Sequence, residues 1–68
     1  MRLTLNGTVE ELPDGALLPD LLARHGHTTA ARGVAIAHNG AVVPRAEWPT
    51  QSLADGDVVE LLVAVQGG

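Results

Sequence analysis

Two glycines, Gly67 and Gly68, follow an apolar run from Val58 to Val65 that only Glu60 interrupts. Glycine has no Cβ, so such a tail can enter a slot too narrow for any other residue and bring its carbonyl against a reagent. Side chains elsewhere offer little competing chemistry. The sequence contains no cysteine, which excludes a thiolate nucleophile, a side-chain persulfide, a disulfide framework and a Cys-based metal site. It contains no lysine either, which excludes a P-loop, an internal Schiff base and an ε-amino acyl acceptor.

The remaining candidates weaken one by one. His25 and His27 stand two residues apart at an expected helix end, and His38 lies elsewhere. A metal site needs three or four converging ligands, and this spacing promises no convergence, so no metal is expected. Asp55-Gly56-Asp57 lacks the further carboxylates and terminal glutamate of a calcium loop and reads as a turn. Gly15, Gly26 and Gly33 form no dinucleotide fingerprint, and Ser52 has no base and orienter in so small a chain. No enzyme activity and no bound cofactor are therefore expected of this chain alone. Chemistry is left with the α-carboxylate of Gly68. An ionised carboxylate is a poor electrophile, and adenylation would give it a good leaving group. That step needs ATP, Mg²⁺ and a charge clamp, which a partner must supply.

Charge and size point the same way. Four arginines stand against eight carboxylates, a net charge of −4. Nucleic acid needs a basic footprint and is not expected. A partner with a positive docking surface suits the balance, charge helping encounter and selectivity. The 68 residues make one small domain with an aliphatic core, Trp48 being the only aromatic. No apolar stretch reaches the roughly 18 residues that span a bilayer, and no signal-peptide pattern opens the chain. A soluble, cytoplasmic protein without membrane contact is expected.

Leu3 and Leu5 alternate with polar residues, Asn6-Gly7 supplies a two-residue hairpin turn, and a return strand runs from Val9 to Leu12. A short helix follows, with Pro19 at its first position, Gly26 as its closing left-handed residue, and Leu18, Leu21, Leu22 and His25 on one face. Residues 27–33 read as a connection. Residues 34–38 and 41–43 form a second hairpin around Asn39-Gly40, ended by Pro44. Between Arg45 and Leu53 a tight turn or short 3₁₀ segment should tuck Trp48 and Leu53 inward. The last strand covers 58–65.

Strand, strand, helix, strand, strand, strand is the order of a β-grasp, or ubiquitin-like, α+β fold. It predicts a mixed sheet of about five strands with one main helix on one face and the last strand beside the first. The domain is expected to cover 1–65, with 66–68 a flexible tail. Val59, Leu61, Val63 and Val65 share one face of the last strand, and Val58, Glu60, Leu62 and Ala64 the other. Since one helix covers one face, Leu62 and Ala64, with Ala35 and Ala37, should form an apolar docking patch.

The stretch from Val34 to Trp48, with Val43-Pro44-Arg45 and Trp48 at its end, then Leu53-Ala54-Asp55-Gly56-Asp57, the apolar strand and Gly67-Gly68, strongly resembles the ThiS family. Those are sulfur carriers of thiamin thiazole biosynthesis. Leu3 through Leu22 matches more loosely. The resemblance implies that an E1-like adenylyltransferase of the ThiF type activates Gly68 with ATP and Mg²⁺. A cysteine desulfurase or rhodanese-type donor then supplies sulfur, giving a Gly68 thiocarboxylate. Thiazole synthase of the ThiG type takes that sulfur into the ring. Gly67 keeps the tail slim. Gln66 stands where many relatives carry a small residue, and His38 where an aliphatic one is frequent. Two other readings remain at the level of the sequence. One is a β-grasp sulfur carrier of another pathway (molybdopterin, cysteine or a natural product). The other is a non-covalent ubiquitin-like interaction domain.

Overall fold

Both Asn-Gly pairs make the turns that their sequence requires. Asn6 and Asn39 each have φ of 50°, and Gly7 and Gly40 have φ of 82° and 84°. Two consecutive positive φ values define the type I′ turn, which matches the twist of the strands it joins. The first turn links β1 (Arg2–Leu5) to β2 (Thr8–Glu11), with Leu5 opposite Thr8. The second links β3 (Val34–His38) to β4 (Ala41–Val42), with His38 opposite Ala41. The computed structural model that gives this arrangement describes residues 1–64. The expected tail, Gln66, Gly67 and Gly68, lies outside the described residues, as does Val65.

The last strand, β5 (Val58–Val63), runs parallel to β1 and antiparallel to β3, so the sheet order is β2-β1-β5-β3-β4. This is the mixed five-stranded sheet of the β-grasp, with the final strand in the middle. An apolar strand belongs there because both of its edges are paired.

One helix, α1 (Leu18–Arg24), covers one face and buries Leu18, Leu21 and Leu22. They join Leu3, Leu5, Ile36, Val59 and Trp48 in a single core. The helix begins one residue earlier than its proline suggests, so Pro19 is the second helical residue, behind Leu18. Its start is held by the Asp20 carboxylate, which accepts the Leu17 amide at 2.8 Å, satisfying a donor at the positive end of the dipole. Gly26, at φ 77°, closes the helix as expected. The Gly26 amide bonds the Ala23 carbonyl and the His27 amide bonds the Leu22 carbonyl, the paired bonds of a Schellman end.

His25 departs from the expected stripe. It is the residue that caps the helix, it is exposed, and its Nε2 lies 2.6 Å from Glu10 on β2. The helix ends before a further turn could carry His25 inward. The 3₁₀ segment Arg45–Thr50 forms as expected and buries Trp48, with Leu53 also in the core. The indole N–H donates to the Val43 carbonyl at 2.9 Å, so the one aromatic enters the core with its polar atom satisfied.

Candidate functional site

The candidate site is the outer, helix-free face of the sheet where β5 approaches the C-terminal residues. Register places Ala35 opposite Leu62 and Ala37 opposite Glu60. Leu62 is 66% exposed, although it belongs to the central strand. Ala35 and Ala64 are exposed and Ala37 is half-buried. Gly33, Val34, Ala35, Leu62, Val63 and Ala64 line a shallow open groove at this end of the sheet. Three of the four residues expected to form the patch, Ala35, Leu62 and Ala64, therefore converge there. Ala37 lies one step further along β3, beside Val42 and Glu60.

Glu60 changes the character of the face. It is exposed, sits beside Ala37 and two residues from Leu62, and forms no ion pair among the described residues. Elsewhere the carboxylates of Glu10, Glu11, Asp14 and Asp57 have cationic or imidazole neighbours within 4.0 Å. An apolar patch with one unpaired carboxylate fits a partner surface that offers an apolar contact and a cation.

The inner face of β5 is covered only in part. Val59 is fully buried, yet Leu61 is only partly buried and Val63 is 53% exposed. The core ends before the strand does, since α1 is two turns long and cannot cover the last residues. Both faces of β5 are thus open near Val63, a feature that alternation alone does not reveal.

At the opposite end of β5 stands a polar cluster that the sequence reading did not assemble. The His38 Nε2 lies 2.6 Å from Asp57 Oδ2, and Asn39 Nδ2 donates to Asp57 Oδ1 at 3.1 Å. The Ala54 amide also donates to Asp57 Oδ2, at 2.8 Å. Burial pushes the Asp57 carboxyl upward, but the hydrogen bonds from His38, Asn39 and Ala54 outweigh it and hold Asp57 below the usual carboxylate range. The site is satisfied and closed, and the strand-end position of His38 is explained by this bond. Among the described residues no three His, Asp or Glu side chains could hold a metal ion. No helix among them is long and apolar enough to cross a membrane.

The two turn asparagines act on β5 as well. Asn6 accepts the Leu61 amide at 2.9 Å and donates to the Leu61 carbonyl at 3.1 Å. The Asn39 side-chain oxygen accepts the Val58 amide at 2.8 Å, while the Asn39 backbone N–H donates to the Val58 carbonyl at 2.7 Å. Either turn would form with aspartate, but only an amide side chain can both accept and donate, as Asn6 does at Leu61 and Asn39 does between the Val58 amide and the Asp57 carboxylate.

Fold and face together define a β-grasp domain that presents the C-terminal end of its central strand beside an exposed apolar patch. The sequence pattern of the ThiS family matches residues 3–68, and the chain belongs to that family. It is similar over its whole length to the crystal structure of the thiamine biosynthesis protein ThiS from Geobacter metallireducens. The identity is 34%, the TM-score 0.76, and all of both chains is covered. A solution NMR structure of a thiamine biosynthesis protein from the same organism is 29% identical with a TM-score of 0.76, covering all of this chain and 88% of the other. No curated protein sequence matches it.

Proposed function

We propose that this chain is a sulfur carrier of thiamin biosynthesis, a protein co-substrate whose reactive group is the Gly68 carboxylate. The observation that carries this reading is the family match, which runs through Gly67 and Gly68. The described residues are consistent with it. Their buried side-chain polar atoms all have hydrogen-bond partners, which suits a scaffold that does no chemistry itself.

A ThiF-type adenylyltransferase, acting in the cytoplasm with its own Mg²⁺, binds ATP and the carrier. A Gly68 carboxylate oxygen attacks the α-phosphorus and pyrophosphate leaves. Sulfur delivered by a cysteine desulfurase or rhodanese-type donor then takes the place of AMP at the acyl carbon, leaving a thiocarboxylate. Thiazole synthase consumes that sulfur. The carrier uses Leu62, Ala64 and Ala35, with Ala37 and Glu60 behind them, to dock on its partners. Fully extended, the three residues Gln66, Gly67 and Gly68 reach about 10 Å, enough to enter a cleft beside the docked face. Affinity comes from the sheet face and reactivity from the slim tail, since ordering two glycines is entropically unfavourable.

The test is ATP–pyrophosphate exchange with a ThiF-type enzyme, followed by intact mass after a sulfur source is added. Exchange that depends on the carrier, and replacement of one oxygen by one sulfur at Gly68, are the expected results. Binding to the enzyme without exchange would instead favour a non-covalent ubiquitin-like interaction domain. A molybdopterin or other pathway enzyme that outcompetes the thiamin one would assign the carrier elsewhere.

A further inference from the structure

Between α1 and β3 the chain has no regular structure of its own, yet its carbonyls converge on one side chain. Arg45 Nη1 donates to the Thr29 carbonyl at 3.3 Å and to the Ala31 carbonyl, and Nη2 donates to the Val34 carbonyl at 3.1 Å. The guanidinium lies over the Trp48 ring, 4.1 Å from its centroid. Trp48 is itself fixed, buried and bonded to the Val43 carbonyl. A planar cation on a buried indole thus acts as a rigid fork that gathers residues 29–34. All its hydrogen bonds among the described residues go to main-chain carbonyls. Lysine could keep the charge but would lose both the fork and the stacking.

The segment so gathered ends at the groove. Gly33 has φ of 69°, and its carbonyl accepts the Ala64 amide at 2.7 Å. A Cβ added to Gly33 would sit 3.6 Å from the Ala64 Cβ, so the two backbones run close together. Among the described residues this bond is the last rung between β3 and the strand that carries the C-terminal residues, one step past the Val34–Val63 pair. Arg45 holds Val34 at the foot of that rung, and Ala31 and Thr29 just before it.

We infer that Arg45 is a positioning residue: through Val34 and Gly33 it fixes the heading of the chain at Ala64, and so the aim of the C-terminal carboxylate when the carrier is docked. This rests on the carrier reading above. Arg45 touches no reacting atom. It acts by keeping Gly33 in place as the partner of Ala64, on the only edge of the strand that is paired at that point among the described residues. Losing the fork frees the connection and lets the rung open, while the sheet and the body of the docking face, Leu62 opposite Ala35, persist.

The experiment compares the wild-type chain with Arg45→Lys and Arg45→Met in two measurements. Native-state amide exchange of the free protein should show Ala64 exchanging about tenfold faster in both variants, with Ile36 and Val59 changed less than about twofold, as a local opening requires. ATP–pyrophosphate exchange with the adenylyltransferase should show kcat reduced by about five- to tenfold at a KM within about twofold, because docking survives and aim does not. Uniform acceleration of all three amides would make Arg45 a general stabiliser and overturn the inference, as would an unchanged kcat in Arg45→Lys. If Arg45→Met does not fold, Arg45→Lys alone decides. Should wild type show no pyrophosphate exchange, the carrier reading fails, and the Ala64 amide still reports whether Arg45 holds that rung.

Discussion

At its N-terminal end β5 is gripped from both sides, and at its C-terminal end from one. Val58 and Val59 pair with Thr4 and Leu5 of β1, and Val59 also pairs with His38 of β3. The Asn39 side chain adds a bond to the Val58 amide, and the Asn6 side chain clasps the main chain of Leu61 further along. From Leu62 to Ala64 the described partners are all on the β3 side: Ala35, Val34 and the Gly33 carbonyl. Val59 is fully buried, whereas three residues later Leu62 is 66% exposed. One strand of nearly uniform composition thus anchors the domain at one end and offers a surface at the other. Composition does not distinguish these roles; the length of the helix above the strand and the reach of its neighbours do.

That contrast can be broken at either end. Asp57→Ala removes the acceptor shared by His38, Asn39 and the Ala54 amide, and should lower stability by about 2–3 kcal/mol in urea unfolding. Its effect on pyrophosphate exchange should be small once the fraction folded is accounted for. Leu62→Glu should do the reverse. The exposed position predicts a change in folding stability within about 0.5 kcal/mol, while a charge set in an apolar contact should weaken docking by about 2 kcal/mol, a KM raised roughly thirtyfold. If Leu62→Glu folds and is adenylated with an undiminished KM, the docking surface has been misplaced.

Smaller effects sharpen the picture. Asn6→Asp keeps an acceptor for the Leu61 amide but loses the donor to its carbonyl, and should destabilise by about 1 kcal/mol in thermal unfolding. The pH dependence has a definite sign. Asp57 titrates lower in the folded chain than in the unfolded one, so its contribution is present above the unfolded carboxylate value, about 3.9. It is lost as pH falls through the folded value. The stability loss of wild type below about pH 4 should therefore be blunted in Asp57→Asn, checked by urea midpoints across that range.

Much of the fold was legible because its punctuation is local. Each Asn-Gly pair dictates its own turn, Gly26 closes its own helix, and period-two alternation marks each strand. The buried positions of Trp48 and Leu53 followed from the same reasoning. What escaped was tertiary. Nothing near Asn6 reveals that its amide will clasp Leu61, 55 residues away in sequence. His38 and Asp57 are 19 residues apart and meet only because β3 and β5 are neighbours. His25 was misplaced because a helical face was extended one residue past the helix. The exposure of Leu62, Ala64 and Ala35 was legible because a single helix cannot cover two faces of a sheet. Alternation also put Glu60 on that face, whereas the openness of Val63 was missed, since it depends on where the core stops.

The central claim is that the end of this chain reacts while the domain behind it only positions and docks. It is tested most directly by adding one residue after Gly68 and measuring ATP–pyrophosphate exchange with the adenylyltransferase, with intact mass after sulfur transfer. The extended chain is expected to keep its fold and stability, to compete with wild type for the enzyme, and to support neither exchange nor replacement of oxygen by sulfur. Undiminished exchange from the extended chain would contradict it.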